Sequence, residues 1–151
     1  MKYQFLPERV VLGHAEIDFQ HEMLFFVITG LHRLVKKGRD EGDCVIDPVH
    51  IENAFKLLDD YMATHFSYEE ELMRSSGFPE ASGHAGLHRK FENSMETFRE
   101  RFMGVDDNQE RAILTKRMLD FFFEWVNTHF AVSDRRFCQF LAAQKGEEPP
   151  V

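Results

Sequence analysis

Four segments of the sequence carry apolar residues at alternating three- and four-residue spacing, and this pattern limits the fold more than any other feature. Hydrophobic residues at this spacing form one apolar face of an α-helix. The segments cover about residues 18–37, 48–75, 83–102 and 108–143, and glycine, proline and acidic residues separate them. Four such helices with short connections predict an all-α, antiparallel up-down four-helix bundle with an extended N-terminal arm.

Each predicted helix has a core stripe of five residues. In chain order the four stripes are Ile17, Leu24, Ile28, Leu31, Val35; Ile51, Ala54, Leu58, Met62, Leu72; Leu87, Phe91, Met95, Phe98, Phe102; and Leu114, Met118, Phe121, Trp125, Val132. One domain is therefore predicted over residues 1–145. The polar, proline-containing residues 146–151 are predicted to form a disordered tail.

Charge and composition exclude several classes of protein. The formal net charge is −8 and no basic cluster is visible, which argues against a nucleic-acid partner. The longest apolar runs, such as Leu24 to Ile28, are too short to span a membrane, and the N-terminus lacks the apolar region of a signal peptide. Cys44 and Cys138 show no paired spacing, as is typical of a reducing compartment. A cytoplasmic location is predicted.

Ionisable side chains interrupt the apolar stripes of all four predicted helices. They are His21 in the first, His65 and Glu69 in the second, His84 and His88 in the third, and His129 in the fourth. Such groups are costly to bury without a partner, and no lysine or arginine shares these inward faces nearby. A metal is the simplest partner.

The spacing of the donors within each helix supports a shared metal site. In the second and third segments the paired donors are four residues apart, so each pair lies on one face of its helix. His129 and Asp134 are five residues apart, which places them about 140° apart on a regular helix. Either Asp134 approaches from the flank and bridges toward a second metal, or the helix contains a π-bulge at this point.

The ordered set of donors resembles the hemerythrin family, particularly its single-domain bacterial members. Residues 13–24, GHAEIDFQHEML, are similar to the family element G-x3-I-D-x-Q-H-x2-L, and Trp125 precedes His129 by one turn as in the family. The resemblance covers about residues 11–141. Three features depart from it: no tryptophan occurs before Trp125, His14 occupies a position that is usually aliphatic, and the loop between the first two segments is long.

The resemblance implies two iron ions joined by an oxo or hydroxo group. The implied ligands are His84, His88 and His129 for one iron, His21 and His65 for the other, and Glu69 and Asp134 as bridges. Five imidazoles supply five bonds, two bridging carboxylates four and the bridging oxygen two, which together are one fewer than the about twelve that two octahedral ions take. The vacancy falls on the iron with two histidines, where dioxygen is expected to bind end-on as a hydroperoxide.

An apolar pocket and outer hydrogen-bond partners are also expected around the irons. The predicted pocket residues are Leu24, Phe66, Trp125, Val126 and Phe130, and the predicted partners of the imidazoles are Asp18, Gln20 and Tyr61. Glu70 and Glu71 are interpreted as a solvated face. No role is predicted for His14, His32, His50, Cys44 or Cys138.

The expected function is reversible binding of dioxygen for carriage, storage or delivery, without catalytic turnover. Dioxygen is the expected ligand, and an oxygen-using enzyme or a reductase is a candidate partner. The alternatives are a di-iron peroxidase or oxidase, and a module that senses dioxygen or nitric oxide. Oxidising di-iron bundles typically carry four carboxylates with paired Glu-x2-His motifs. The sequence has no Glu-x2-His, which favours oxygen binding.

Overall fold

The computed structural model describes residues 3–41 and 45–147. All secondary structure assigned within these ranges is helical, with no strand. The elements are the 3-10 turn Glu8–Val10, α1 (Ala15–Glu41), α2 (Pro48–Tyr61), α3 (Ser67–Ser76), α4 (Ala81–Met103), α5 (Asn108–Trp125) and α6 (Arg135–Gln144). A first π-helical segment, Met62–Phe66, joins α2 to α3, and a second, Val126–Asp134, joins α5 to α6. The chain thus forms four long helices, and the predicted four-helix bundle is confirmed.

Local chemistry at the helix ends keeps the connections short. The side chain of Asp47 accepts a hydrogen bond from the backbone N–H of Val49 at 2.9 Å, and a proline follows Asp47 at the first helical position. Asp107 caps α5 in the same way through the N–H of Glu110. Gly77 ends α3 with a left-handed φ of 72°, a conformation that glycine adopts without strain. Successive long helices are therefore neighbours that run in opposite directions.

Helix α1 is longer at both ends than the sequence predicts. It begins at Ala15, where the Nδ1 atom of His14 accepts a hydrogen bond from the N–H of Ile17 at 3.3 Å. It continues through Gly38, which does not take a positive φ, and reaches Glu41. A glycine inside a helix costs only about 1 kcal/mol relative to alanine, so Gly38 does not end α1.

The buried side chains form a large and a small hydrophobic cluster with a polar layer between them. Helix α1 packs against α2 and α5, and α4 packs against α3 and α5. In α1, Ile17 belongs to the small cluster and Leu24 to the large one, with His21 between them. In the fourth long helix, Phe130 belongs to the large cluster and Phe137 to the small one. The inward-facing ionisable groups thus lie at one level of the bundle.

The predicted core stripes are buried or partly buried with one exception. Val132 is 50% exposed, so its assignment to the core was wrong. The stripe assumed a regular helix from Trp125 onward, but Val132 lies inside the second π-helical segment, where the wider turn rotates it out of the apolar face.

The N-terminal arm is held against the bundle by side chains of the helices. The carboxylate of Glu22 accepts hydrogen bonds from the backbone N–H groups of residues 4–6, at 2.7 to 3.1 Å. Arg135 donates to the carbonyl oxygen of Arg9 at 2.8 Å. The buried side chains of Leu6 and Val10 anchor the arm in the large cluster, and the predicted arm is confirmed.

The C-terminal end of α6 is capped by the backbone of the residues that follow it. Gly146 has a φ of 70°, and the N–H of Glu147 donates to the carbonyl oxygen of Ala142 at 3.0 Å, so the first two residues of the predicted tail cap α6. Residues 148–151 and Cys44 lie outside the described residues. No helix in the described ranges has the length and apolar character needed to cross a membrane.

Candidate metal centre

The structure brings all seven sequence-predicted donors together in the polar layer. Their side chains come from all four long helices, and each residue is at most 5% exposed. They are His21 in α1, His65 in the first π-helical segment, Glu69 in α3, His84 and His88 in α4, and His129 and Asp134 in the second π-helical segment. Residues that are far apart in the sequence thus meet in one buried cluster.

The second π-helical segment explains how two donors five residues apart share one site. A π-helix forms i→i+5 hydrogen bonds, so residues with that spacing lie close together on one side. His129 and Asp134 both lie in this segment, and their Nε2 and Oδ1 atoms are 3.0 Å apart. The π-bulge hypothesis is therefore confirmed. The first π-helical segment has no counterpart in the sequence analysis, because donors four residues apart already share a face on a regular helix.

Each of the two carboxylates faces both sides of the cluster. Asp134 places Oδ2 at 2.8 Å from Nε2 of His21 and Oδ1 at 2.9 Å from Nε2 of His84. Glu69 places Oε2 at 2.9 Å from Nε2 of His65 and Oε1 at 2.6 Å from Nε2 of His84. In each carboxylate, one oxygen thus lies beside a histidine of one half of the cluster and the other oxygen beside a histidine of the other half. This is the arrangement of a bridging ligand.

The donors form two overlapping groups that could each hold a metal ion. In each group the ligand atoms lie within 4.8 Å of one another. The three-histidine group contains Glu69, His84, His88, His129 and Asp134, and the two-histidine group contains His21, His65, Glu69 and Asp134. The groups share the two carboxylates but no histidine, and one group has three imidazoles where the other has two.

The unsatisfied polar atoms fit a metal better than a hydrogen-bond network. Within residues 3–41 and 45–147, the Nε2 atoms of His21, His65 and His84 have no hydrogen-bond partner, and neither do the carboxylate oxygens of Glu69 and Asp134. These atoms nevertheless approach one another to within 3 Å. Buried polar groups are normally paired by directed hydrogen bonds. Lone pairs that converge without such bonds have the chemistry of a cation site, and nitrogen with carboxylate oxygen suits a non-haem transition metal.

The electrostatics of the cluster point in the same direction. Burial would lower the pKa of His65, but the carboxylates of Glu69 and Asp134 outweigh burial and raise that pKa to about 9. Burial is outweighed in the same way at His84, whose pKa is raised to about 10. For Asp134, burial would raise the pKa, but neighbouring imidazoles, chiefly His129, hold it well below its usual range. The carboxylates thus attract positive charge, which a metal can supply.

Zinc binding to the metal-free protein at pH 7.5 is expected to release about two protons per chain. The pKa values of His65 and His84, about 9 and about 10, keep both rings in the protonated, cationic form at that pH. A metal binds only the neutral ring, so each of the two must lose one proton. Apparent affinity should therefore rise with pH and level off above about pH 10. A pH-indicator dye measures the release. The exposed His50→Gln variant should match the parent and His65→Gln should release about one proton fewer; a release near zero in the parent would contradict the expectation.

Of the three predicted outer partners, one contacts an imidazole through a hydrogen bond. The side-chain oxygen of Gln20 lies 2.8 Å from Nδ1 of His65. The prediction was wrong for Asp18, which instead accepts the backbone N–H groups of Leu12 and Gly13 and fixes the end of the arm. Tyr61 stacks on the ring of His65 at 5.2 Å, so its contact is through the ring face rather than the hydroxyl.

Glu70 contacts a donor histidine, which the sequence does not predict. Its Oε1 atom lies 2.9 Å from Nδ1 of His88 and also contacts the guanidinium of Arg89. The interpretation as a solvated face was therefore wrong for Glu70, whereas Glu71 does lie exposed beside Arg74. A run of three glutamates looks like a surface, and nothing in the sequence marks the middle one, because its partner is on another helix.

Two of the predicted pocket residues stack on the three-histidine group. The ring of Phe66 is parallel to that of His88, with centroids 4.0 Å apart, and Trp125 is parallel to His129 at 3.8 Å. Phe66 also contacts the neighbouring His65, with ring centroids 5.7 Å apart. Its closest stacked imidazole is His88, so this ring covers the half of the cluster that has more donors.

The other predicted pocket residues include the lining of the two-histidine group. Phe130 is parallel to His21 at 3.5 Å. Leu24, one turn after His21, and Val126 are fully buried in the large hydrophobic cluster. The ring of Phe130 thus borders the half of the cluster with fewer donors, and Leu24 and Val126 belong to the same hydrophobic cluster as Phe130.

The remaining histidines and the described cysteine lie outside the donor cluster. His14 caps α1 and packs against Tyr68, while His32 and His50 are exposed. Cys138 is buried as a free thiol in the small hydrophobic cluster, and burial raises its pKa. None of them adds a donor to either group.

The fold and the cluster agree with comparisons to known proteins. The family of the Hemerythrin HHE cation binding domain matches residues 12–141. The chain belongs to the hemerythrin family, as the sequence motifs indicated, and its His/Glu/Asp cluster is a candidate non-haem metal site.

Individual relatives carry the name bacteriohemerythrin. The chain is 30% identical over 128 residues to Bacteriohemerythrin of Clostridium acetobutylicum, a match that covers 83% of this chain and 92% of the relative. It is 27% identical over 135 residues to Bacteriohemerythrin of Stenotrophomonas maltophilia, covering 87% and 77% respectively. A third, of Pseudomonas aeruginosa, is 29% identical over 95 residues, covering 63% and 57%.

Proposed function

We propose that this protein holds two iron ions in the buried cluster and binds dioxygen reversibly, for carriage, storage or delivery. The observation that carries the proposal is the pair of donor groups that share Glu69 and Asp134. In this assignment His84, His88 and His129 hold one iron and His21 and His65 hold the other. When bound, the iron pair supplies the reversible oxygen chemistry.

The unequal number of imidazoles supports ligand binding at one side. The two-histidine group has one imidazole fewer than the three-histidine group, so the metal there has a free position for a small ligand. Phe130 stacks on His21 at the same side, and Leu24 is fully buried nearby. An apolar boundary of this kind admits a small neutral molecule and excludes water.

The composition of the donor set supports binding rather than turnover. The cluster contains two carboxylates and five imidazoles, whereas oxidising di-iron bundles typically use four carboxylates and two histidines. Fewer anionic ligands stabilise high oxidation states less. The chain's own residues therefore bind the metals, orient the imidazoles and keep water away, and no described side chain is assigned as a catalytic acid or base.

Spectroscopy of the reduced, iron-loaded protein tests the proposal. Exposure to air should produce a visible absorption band that disappears under vacuum and returns on a second exposure. Zinc-loaded protein is the control, since it retains the fold and lacks redox chemistry and should show no band. Immediate, irreversible oxidation with catalytic consumption of peroxide would instead identify a peroxidase or oxidase.

A further inference from the structure

Glu70 links the buried donor cluster to the protein surface. It follows Glu69 in α3, but its side chain points away from the shared carboxylates and reaches His88 of α4, with Oε1 2.9 Å from Nδ1. The side chain of His88 is fully buried, that of Glu70 is 29% exposed, and that of Arg89, which contacts Glu70, is 54% exposed. The three residues form a continuous polar path from the cluster to solvent.

The contact fixes which ring nitrogen of His88 is free to bind a metal. A neutral imidazole carries one N–H, and an ionised carboxylate can only accept. The hydrogen therefore sits on Nδ1, where it is donated to Glu70, and the lone pair is on Nε2. That Nε2 atom lies 3.2 Å from Nε2 of His129, inside the three-histidine group. Glu70 thus holds the ring in the orientation that the site needs.

The outer partners of the two groups differ in charge. In the two-histidine group, Nδ1 of His65 meets the neutral amide oxygen of Gln20 at 2.8 Å. Among the described residues, Nδ1 of His21 and Nδ1 of His129 have no hydrogen-bond partner. The charged contact of Glu70 therefore distinguishes the three-histidine group. A carboxylate that accepts from an imidazole makes the ring a more basic ligand.

Arg89 holds Glu70 in place from the solvent side. Its guanidinium contacts Glu70 through one terminal nitrogen, and its Nε lies 3.3 Å from a carboxylate oxygen of Glu92, one turn further along α4. Both contacts are partly exposed and thus individually weak. Their common effect is to limit the rotation of Glu70, so that its carboxylate stays on His88.

We propose that Glu70 is a positioning residue that orients His88 and, through its negative charge, tightens metal binding and lowers the reduction potential at the three-histidine group. The proposal rests on the metal site of the proposed function. It makes the two metal positions unequal in charge as well as in donor number. The position with more imidazoles then holds its metal more firmly, and the other remains free to bind a ligand.

Three variants separate orientation from charge. Glu70→Ala removes both the acceptor and the charge, Glu70→Gln keeps an acceptor oxygen but removes the charge, and Glu71→Gln is the control, since Glu71 is the adjacent exposed glutamate. Circular dichroism establishes that each variant folds. If Glu70→Ala fails to fold, Glu70→Gln still tests the effect of the charge.

The measurements are zinc release to a chelator, the histidine tautomer by nitrogen-15 NMR of the zinc-loaded protein, and the reduction potential of the iron-loaded protein. Glu70→Ala should release zinc about 10- to 100-fold faster and lose the fixed tautomer of His88. Glu70→Gln should keep the tautomer and raise the reduction potential. Glu71→Gln should match the parent in all three.

The outcomes distinguish this proposal from the proposed function. Normal zinc loading of the parent, with release and tautomer unchanged in Glu70→Ala, would overturn the role of Glu70 alone. An unchanged reduction potential in Glu70→Gln would overturn the effect of its charge. A parent protein that binds no metal would overturn both proposals together, whereas failure to bind dioxygen reversibly would leave the zinc and NMR results valid.

Discussion

Replacing Glu69 with alanine is expected to remove the metals almost completely. Glu69 contributes one oxygen to each donor group, with Oε2 beside His65 and Oε1 beside His84, so a single substitution takes a ligand from both positions. Loss of an outer partner of a metal ligand already costs about 10- to 100-fold in affinity, and loss of a shared direct ligand should cost more than about 100-fold. Metal content per chain after loading and desalting measures the effect.

Glu71→Ala is the matched control for this substitution. Glu71 lies two residues away on the same helix, but its side chain is 62% exposed and pairs with Arg74 at the surface. The control variant should load metal like the parent. Glu69→Gln, which preserves volume, separates loss of the ligand from creation of a cavity and should also lose metal. Full metal content in both Glu69 variants would show that Glu69 does not bridge.

Replacing Leu24 with alanine is expected to keep the metals and to speed autoxidation of the oxygenated protein. Leu24 is fully buried one turn from His21, on the side of the two-histidine group. Nδ1 of His21 has no hydrogen-bond partner among the described residues, so water that reached the two-histidine group through the enlarged space would find a polar contact there. We expect a rate increase of about tenfold, which corresponds to about 1.4 kcal/mol in the barrier.

Leu31→Ala is the control for the Leu24 variant. Leu31 belongs to the same helix and the same hydrophobic cluster and is also buried, but it lies two turns further from His21. Both substitutions should destabilise the fold by about 2–5 kcal/mol, whereas only the cavity at Leu24 should admit water. Decay of the oxygenated absorption band gives the two rates. Equal rates would mean that Leu24 does not bound the ligand pocket.

The sequence predicts the bundle and the position of the donors because both depend on residue identity and helical period. Ionisable residues on an apolar stripe are conspicuous, and helical spacing determines which of them share a face. The five-residue interval between His129 and Asp134 leaves two possibilities, an approach of Asp134 from the flank or a π-bulge, and the structure shows the π-helical segment. The wider turn of the same segment also exposes Val132, which a regular helix would place in the core.

The sequence does not predict which of several similar polar residues contacts a given partner. Glu70 and Glu71 are equivalent as letters in an acidic run, and only the packing of α3 against α4 brings Glu70 to His88. Asp18 is a second example. It is predicted to contact an imidazole, but its carboxylate instead accepts hydrogen bonds from the backbone N–H groups of Leu12 and Gly13 in the arm. Such choices depend on three-dimensional neighbours that a periodic pattern does not specify.

The distribution of donors along the chain sets the order in which a working molecule can be assembled. His21 is near the start of α1 and Asp134 is at the end of the second π-helical segment, so the shared carboxylates and all five imidazoles coincide only after the fourth long helix has docked. A partly synthesised chain that lacks this last helix has no complete donor group for either metal ion, because both groups include Asp134. The complete donor set for both metal positions is therefore expected only after the whole chain has been synthesised and folded.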